Sequence, residues 1–276
     1  MKANSPWLRF TFVVACCIVV MLPLWWAAAS ALRPSDEVFR YLSPISIWTL
    51  IPREWTLSNF IALSQGPFAR AMINSALVTT LTVVIGLVVC ATAAFALAVL
   101  EYPGRSVIFA IMVVSFLIPF DSIAVPLSEL FRSLELQNSY AGLILPGIGN
   151  GLAVFMLRQF FMAIPKELSE AAKIDGLGWG GIFLRIYLPL SRPALIGAGL
   201  ILFVFQWQAY LWPLLIAPNP DYHVASVAIA SFAGQYDVDY GQMFGGAVVT
   251  ALLPMAILLI FQRYFIASLA SSGSKE

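Results

Sequence analysis

The chain has 276 residues, of which 61% are hydrophobic and only 11% are charged, with a mean hydropathy of +0.88. A soluble globular domain carries roughly 25% charge, so a water-soluble protein is excluded. Fifteen Lys and Arg against fourteen Asp and Glu leave a net charge of +1, which gives no basic footprint for nucleic acid.

A bilayer core about 30 Å thick needs roughly 20 apolar residues at a helical rise of 1.5 Å. Taken in chain order, six stretches qualify as spans: Phe10 to Leu32, Ala71 to Leu100, Ser106 to Ser128, Leu136 to Leu157, Pro193 to Pro220 and Tyr240 to Gln262. None shows the period-two alternation of a barrel strand, so the expectation is an all-α membrane bundle forming a single domain over residues 1–276. The first span ends in "AAASAL", but its apolar run is longer than a signal peptide's, and an uncleaved anchor is expected. The third is interrupted by Pro119, Asp121 and Pro126, and its outer end is expected to be broken. An acid at the middle of a span costs about 2.5 to 3.5 kcal/mol on insertion scales. Asp121 therefore either faces a cavity or marks the end of the span at the outer interface, and the sequence leaves both open.

Charge sets the orientation. With the N-terminus in the cytoplasm, Lys2, Arg9, Arg105, Arg158, Lys166, Lys173, Arg185, Arg192, Arg263 and Lys275 lie inside. Arg33, Arg40, Arg53, Arg70 and Arg132 lie outside, so the split is ten to five. Positive charge concentrates on the cytoplasmic side, which predicts a multi-pass protein of the cell (inner) membrane with both termini cytoplasmic.

The sizeable cytoplasmic loop is residues 158–193, read as two short helices. Pro165 suits a first helical position, Glu167 and Glu170 lie early where the helix dipole favours acids, and Gly176 stops the helix. Leu168, Ala171, Ala172 and Asp175 recur at helical spacing and form one small face. A second apolar run, Ile182 to Leu190, leads back to the membrane. On physical grounds alone this is an amphipathic helix lying on the bilayer.

"GLGWGG", Gly176 to Gly181, follows no predicted strand and precedes no Lys-Ser/Thr pair, and no Walker A sequence occurs, so nucleotide is not expected to bind this chain. The lone His223, in an outer loop of residues 219–241, reads as a solvated residue. Cys16, Cys17 and Cys90 sit in apolar runs and supply no zinc ligands, so no metal site is expected.

The string Glu170-Ala171-Ala172, then Asp175-Gly176, Phe183, Ile186, Leu188-Pro189-Leu190 and Pro193, resembles the EAA motif of ABC importer permeases. "NSYAGLILP" from Asn138, "YLWPLL" from Tyr210 and "SFAGQYDVDYGQMFGGAVV" from Ser231 narrow the likeness to the carbohydrate class, the maltose and glycerol-phosphate type. Leu177 stands where that family has a small residue, and Gln206, Gln208 and Ala209 depart from its pattern around Trp207.

The resemblance implies a six-helix type I importer permease fold and a transport subunit without catalytic residues or a cofactor of its own. It further implies a second permease subunit, two ATPase subunits that hold ATP and Mg, and an extracytoplasmic solute-binding protein. Glu170, Ala171, Ala172, Asp175 and Gly176 would then meet the ATPase. Gly234, Gln235, Tyr236, Asp237, Asp239 and Tyr240 would meet the binding protein. Asp121, Trp207 and Tyr210 are the pathway candidates, the two rings as stacking partners for a sugar. The alternative from another class is an intramembrane enzyme that pairs Asp121 with Asp237 and Asp239.

Overall fold

Long apolar runs give long helices, which continue through Pro23 and Pro254 but break at Pro119 and at the Asn150 cap. In the computed structural model, which describes residues 6–234 and 238–273, fourteen α-helical segments follow in chain order. They are α1 (Pro6–Ala31), α2 (Ser58–Gln65), α3 (Pro67–Ala98), α4 (Arg105–Leu117), α5 (Phe120–Ser133), α6 (Tyr140–Ile144) and α7 (Gly151–Met162). The second half adds α8 (Lys166–Ile174), α9 (Trp179–Ile182), α10 (Leu188–Leu190), α11 (Arg192–Trp207), α12 (Leu211–Ile216), α13 (Ala225–Ser231) and α14 (Tyr240–Gly273). Among the described residues no strand forms, and the extended contacts are two isolated bridges, Leu42 with Ile45 and Ala233 with Val238.

Among the described residues three helices are long and apolar enough to cross a bilayer unbroken: Arg9–Ala31, Pro67–Ala98 and Tyr240–Phe261. They coincide with the first, second and sixth expected spans. The other expected spans are broken. α4 turns through 98° into α5, so the third is a 13-residue helix of about 20 Å followed by a crosswise amphipathic one. The cause is local: Pro119 forces Ile118 into extended backbone (φ −73°, ψ 121°) and is itself extended before α5 begins.

The helical run from Tyr140 to Gly147 bends by 43° into α7, which starts afresh where the Asn150 side chain accepts the Ala153 N–H at 3.0 Å. α11 stops at Trp207, and irregular backbone at Gln208 to Tyr210 separates it from α12. Before it, α9 and α10 are joined by a wide π turn over Phe183–Tyr187 and meet α11 at 84°.

The chain divides into two compact units, one of residues 1–72 and 225–253, the other of 73–224 and 254–276. In the second, α3, α7, α9 and α11 enclose a core of Cys90, Ala94, Phe95, Leu157, Phe161, Ile182, Tyr187 and Leu202. Phe95 meets Tyr187 edge-on at 5.1 Å, and Phe161 meets Tyr187 at 5.6 Å. Close approach of α4 to α7 requires Gly151, because a Cβ there would lie 2.5 Å from the Phe116 Cβ.

In the first unit, Leu63, Phe68, Ala71, Ala225 and Ala228 pack together. The fully buried Arg33 donates to the carbonyls of Ala29, Trp48 and Thr49, each at 3.3 Å, and so fastens the segment that follows α1. Burial pulls its guanidinium below its ordinary pKa, against the opposing pull of Glu37 and Tyr41.

Candidate functional site

α8 is nine residues long and begins after extended Pro165, one position later than the sequence suggested. Its end is a complete Schellman closure: Gly176 takes φ +84°, its N–H donates to the Lys173 carbonyl at 3.0 Å, and the Leu177 N–H donates to the Ala172 carbonyl at 2.9 Å. A Cβ at Gly176 would meet nothing within 4 Å, so the requirement for glycine there is conformational and not steric.

The expected single face of α8 divides in two. Ala172 and Ser169 turn inward and are buried, and the Ser169 and Tyr187 hydroxyls lie 3.0 Å apart. Glu167, Leu168, Glu170, Ala171, Ile174 and Asp175 point outward and are exposed. Ala172 therefore packs against the chain's own core, with Leu177 beside it, while Glu170, Ala171 and Asp175 stay available to a partner. Ile174 is 87% exposed, an apolar side chain on a polar helix left largely uncovered by the described residues. Lys173 lies over the Trp179 ring at 3.8 Å and ties α8 to α9. The preceding helix α7 runs on through Met162, so Arg158 belongs to it and not to the loop. Arg158 donates to the Leu97 carbonyl at 3.0 Å and covers the Phe109 ring.

Within the same unit, Asp121 and Tyr210 line one open cavity of about 420 Å³ together with Val204, Phe205, Gln208, Ala209 and Leu211. Trp207 does not join them. It is buried and stacked on Phe203 at 5.6 Å. Asp121 sits in the first turn of α5 just past the bend, beside the irregular Gln208 to Tyr210 backbone. Irregular backbone at membrane depth is tolerated where it lines a cavity.

A further cluster was not anticipated. Asn74, buried in α3, donates to the carbonyls of Asp221 and His223 at 2.9 Å each and accepts the Tyr140 hydroxyl at 2.9 Å. Asn138, at φ +51°, accepts the Asn219 N–H through its side chain at 2.9 Å. These bonds fix the turn that carries His223, whose ring nitrogen lies 3.3 Å from the Pro218 carbonyl. An asparagine at helical spacing within an apolar run was the available signal.

The outer loop is built differently. Gly234 is exposed, and Gln235, Tyr236 and Asp237 lie outside the described residues. Asp239 caps α14: it accepts the Gln242 N–H at 3.0 Å, the Gln242 side-chain amide at 2.6 Å and the Ser35 hydroxyl at 2.5 Å. Burial opposes its ionisation, but the bonds from the Gln242 N–H, the Ser35 hydroxyl, the Gln242 amide and the Gly241 N–H outweigh burial and hold the carboxyl below its ordinary range. Tyr240 packs edge-on against Phe39 at 4.6 Å. Asp239 and Tyr240 thus secure the base of the loop.

Comparison with known proteins agrees with this architecture. The chain is 34% identical to the arabinooligosaccharides transport system permease protein of Halalkalibacterium halodurans, over 99% of each chain. It is 32% identical to the sn-glycerol-3-phosphate transport system permease protein of Escherichia coli over 99% of each, and 34% identical to the trehalose transport system permease protein of Mycobacterium tuberculosis over 92% of each. A solved bacterial ABC transporter involved in the import of the acidic polysaccharide alginate matches 96% of this chain and 100% of its own, with a TM-score of 0.81 at 18% identity. None of these relatives supports the enzyme alternative, and the Asp239 carboxylate that it would use is committed to its helix cap. Residues 86–271 match the model of the binding-protein-dependent transport system inner membrane components, and the chain belongs to that family as a multi-pass transport subunit.

Proposed function

We propose that this chain is one of two permease subunits of an ATP-driven importer for sugars or sugar-like solutes. Two cytoplasmic ATPase subunits, holding ATP and Mg, drive it through α8, and an extracytoplasmic solute-binding protein delivers cargo at the outer loop of residues 219–241. Both termini lie in the cytoplasm. The names of two relatives, for arabinooligosaccharides and trehalose, support the sugar class, and the ten to five charge split supports the orientation.

The observation that carries the reading is the two-sided construction of α8. Its outward side offers Glu170, Ala171, Ile174 and Asp175 to a partner. Its inward side is fastened through Ser169 and Ala172 to Tyr187 and the Phe95 and Phe161 rings. A push on α8 by closing ATPases is transmitted to α3, α7 and α11, since a packed core shifts as a body before it deforms. The pathway then opens alternately to each side, a population shift driven by ATP and requiring no covalent chemistry on this chain. Gly234, Gln235, Tyr236 and Asp237 are the residues assigned to meeting the binding protein, and Asp239 and Tyr240, which follow them, are held by the α14 cap and by Phe39.

The test is a photo-crosslinking residue at Ala171 in the assembled importer. Crosslinks to an ATPase subunit are expected from position 171, and crosslinks to lipid alone would return α8 to the bilayer surface.

A further inference from the structure

The cavity beside the α4 to α5 bend brings together polar groups that the coupling of α8 does not use. Asp121, Gln208 and Tyr210 are all exposed to it, and none has a side-chain hydrogen bond or ion pair to the described residues. Phe205 adds a ring that is 61% exposed. Beside apolar helices within a membrane, polar side chains without a partner of this kind face water or cargo and not lipid.

The chemistry of the lining is specific. A carboxylate accepts hydrogen bonds only, an amide both donates and accepts, and a phenol does both. Together with an exposed ring, that set suits a ligand rich in hydroxyls with an apolar ring face. Among the described residues no Lys, Arg or His lines the cavity, so a phosphate or carboxylate on the ligand would meet the Asp121 carboxylate without a compensating cation.

Resting on the transport reading above, we infer that the cavity lined by Asp121, Phe205, Gln208 and Tyr210 is a cargo subsite of this chain, selective for neutral polyhydroxylated solutes over anionic ones. Asp121 and Gln208 hold hydroxyl groups, Tyr210 adds a third polar contact, and Phe205 covers a sugar face. Asp121 is at once the strongest acceptor and the element that rejects anions.

The experiment uses the assembled importer without its binding protein and without ATP. Cys16 and Cys17 are replaced by Ser, Cys90 by Ala, and a single reporter is placed at the cavity wall by Ala209→Cys. The rate of its reaction with a small thiol reagent is measured against increasing trehalose, arabinotriose and sn-glycerol 3-phosphate at constant ionic strength. The expected result is protection by the neutral sugars and none by the phosphate. Asp121→Asn and Gln208→Ala should each weaken neutral-sugar protection roughly tenfold or more, the worth of one charge-assisted or buried hydrogen bond, and Asp121→Asn should let the phosphate protect. Tyr210→Phe, which keeps the ring, should weaken protection less.

Equal protection by the phosphate in the unaltered cavity would overturn the neutral class. Protection by none of the three, or protection untouched by Asp121→Asn and Gln208→Ala, would overturn the subsite. Neither failure bears on α8, whose role is tested by variants remote from the cavity and read out by ATP-driven uptake.

Discussion

The Ser169 and Tyr187 hydroxyls lie 3.0 Å apart, both side chains buried, and through this contact a nine-residue polar helix is bound to the apolar core of its unit. Removing one partner strands the other. Tyr187→Phe should cost about 1 to 3 kcal/mol by leaving the Ser169 hydroxyl unsatisfied. Tyr187→Ala should cost about 3 to 5 kcal/mol because it also empties the space between Phe95 and Phe161. Thermal unfolding of the detergent-purified importer checks both, and equal losses would mean that the ring and hydroxyl are not separate contributions.

Gly176 separates conformational from steric cost. Open space surrounds its missing Cβ while φ is +84°, so Gly176→Asn should be nearly tolerated, whereas Gly176→Val should cost about 1 to 2 kcal/mol and loosen the end of α8. Comparing the two by thermal unfolding and by protease sensitivity after Lys173 provides the check. Equal damage from both would point to a contact made by the glycine itself.

Asn74 closes three hydrogen bonds at once. Asn74→Ala leaves the Tyr140 hydroxyl and the Asp221 and His223 carbonyls without that partner, and each group that stays buried costs about 1 to 3 kcal/mol. The turn should loosen, which hydrogen exchange at residues 219–223 would register as faster exchange than in the unaltered protein.

Asp239 gives an acid dependence whose sign follows from its hydrogen bonds. Its folded pKa lies below the unfolded value, so its stabilisation is fully present above the unfolded pKa, near 4, and is lost as pH falls from there through the folded value. Asp239→Asn keeps a capping side chain and should remove this acid loss, while Asp239→Ala should cost about 1 kcal/mol at neutral pH. Unfolding midpoints between pH 3 and 7 test the pattern.

The charge split predicts that single cysteines at Lys173 and Asp221, both exposed positions, are labelled from opposite sides of the membrane. In a background without the native cysteines, an impermeant thiol reagent on intact cells should reach only the one at Asp221. Labelling at Lys173 instead would invert the topology.

Much of this architecture was legible in the sequence because hydropathy and breakers act locally. The long apolar runs of α1, α3 and α14 became unbroken helices in spite of Pro23 and Pro254, and Pro119 marked the bend between α4 and α5. Gly176 ended α8 as its position suggested. What stayed hidden depended on long-range contacts. Periodicity could not decide that Ala172 turns inward while Ala171 stays exposed, because both are small and helical and only the Tyr187 packing separates them. Trp207 was a candidate pathway ring but is buried and stacked on Phe203, and the burial of Arg33 against three carbonyls could not be read from hydropathy. Asp239 stands among the residues expected to meet the binding protein, but its role as a helix cap is completed by Ser35, 204 positions away, which no local pattern reveals.

The most direct test of coupling through α8 is ATP-driven uptake by proteoliposomes containing the full importer with Glu170→Lys or Gly176→Val, measured beside the solute affinity of the binding protein. The expected result is at least a tenfold fall in uptake in each variant, with that affinity unchanged. Unaltered uptake and unaltered association with the ATPase subunits in both variants would contradict it.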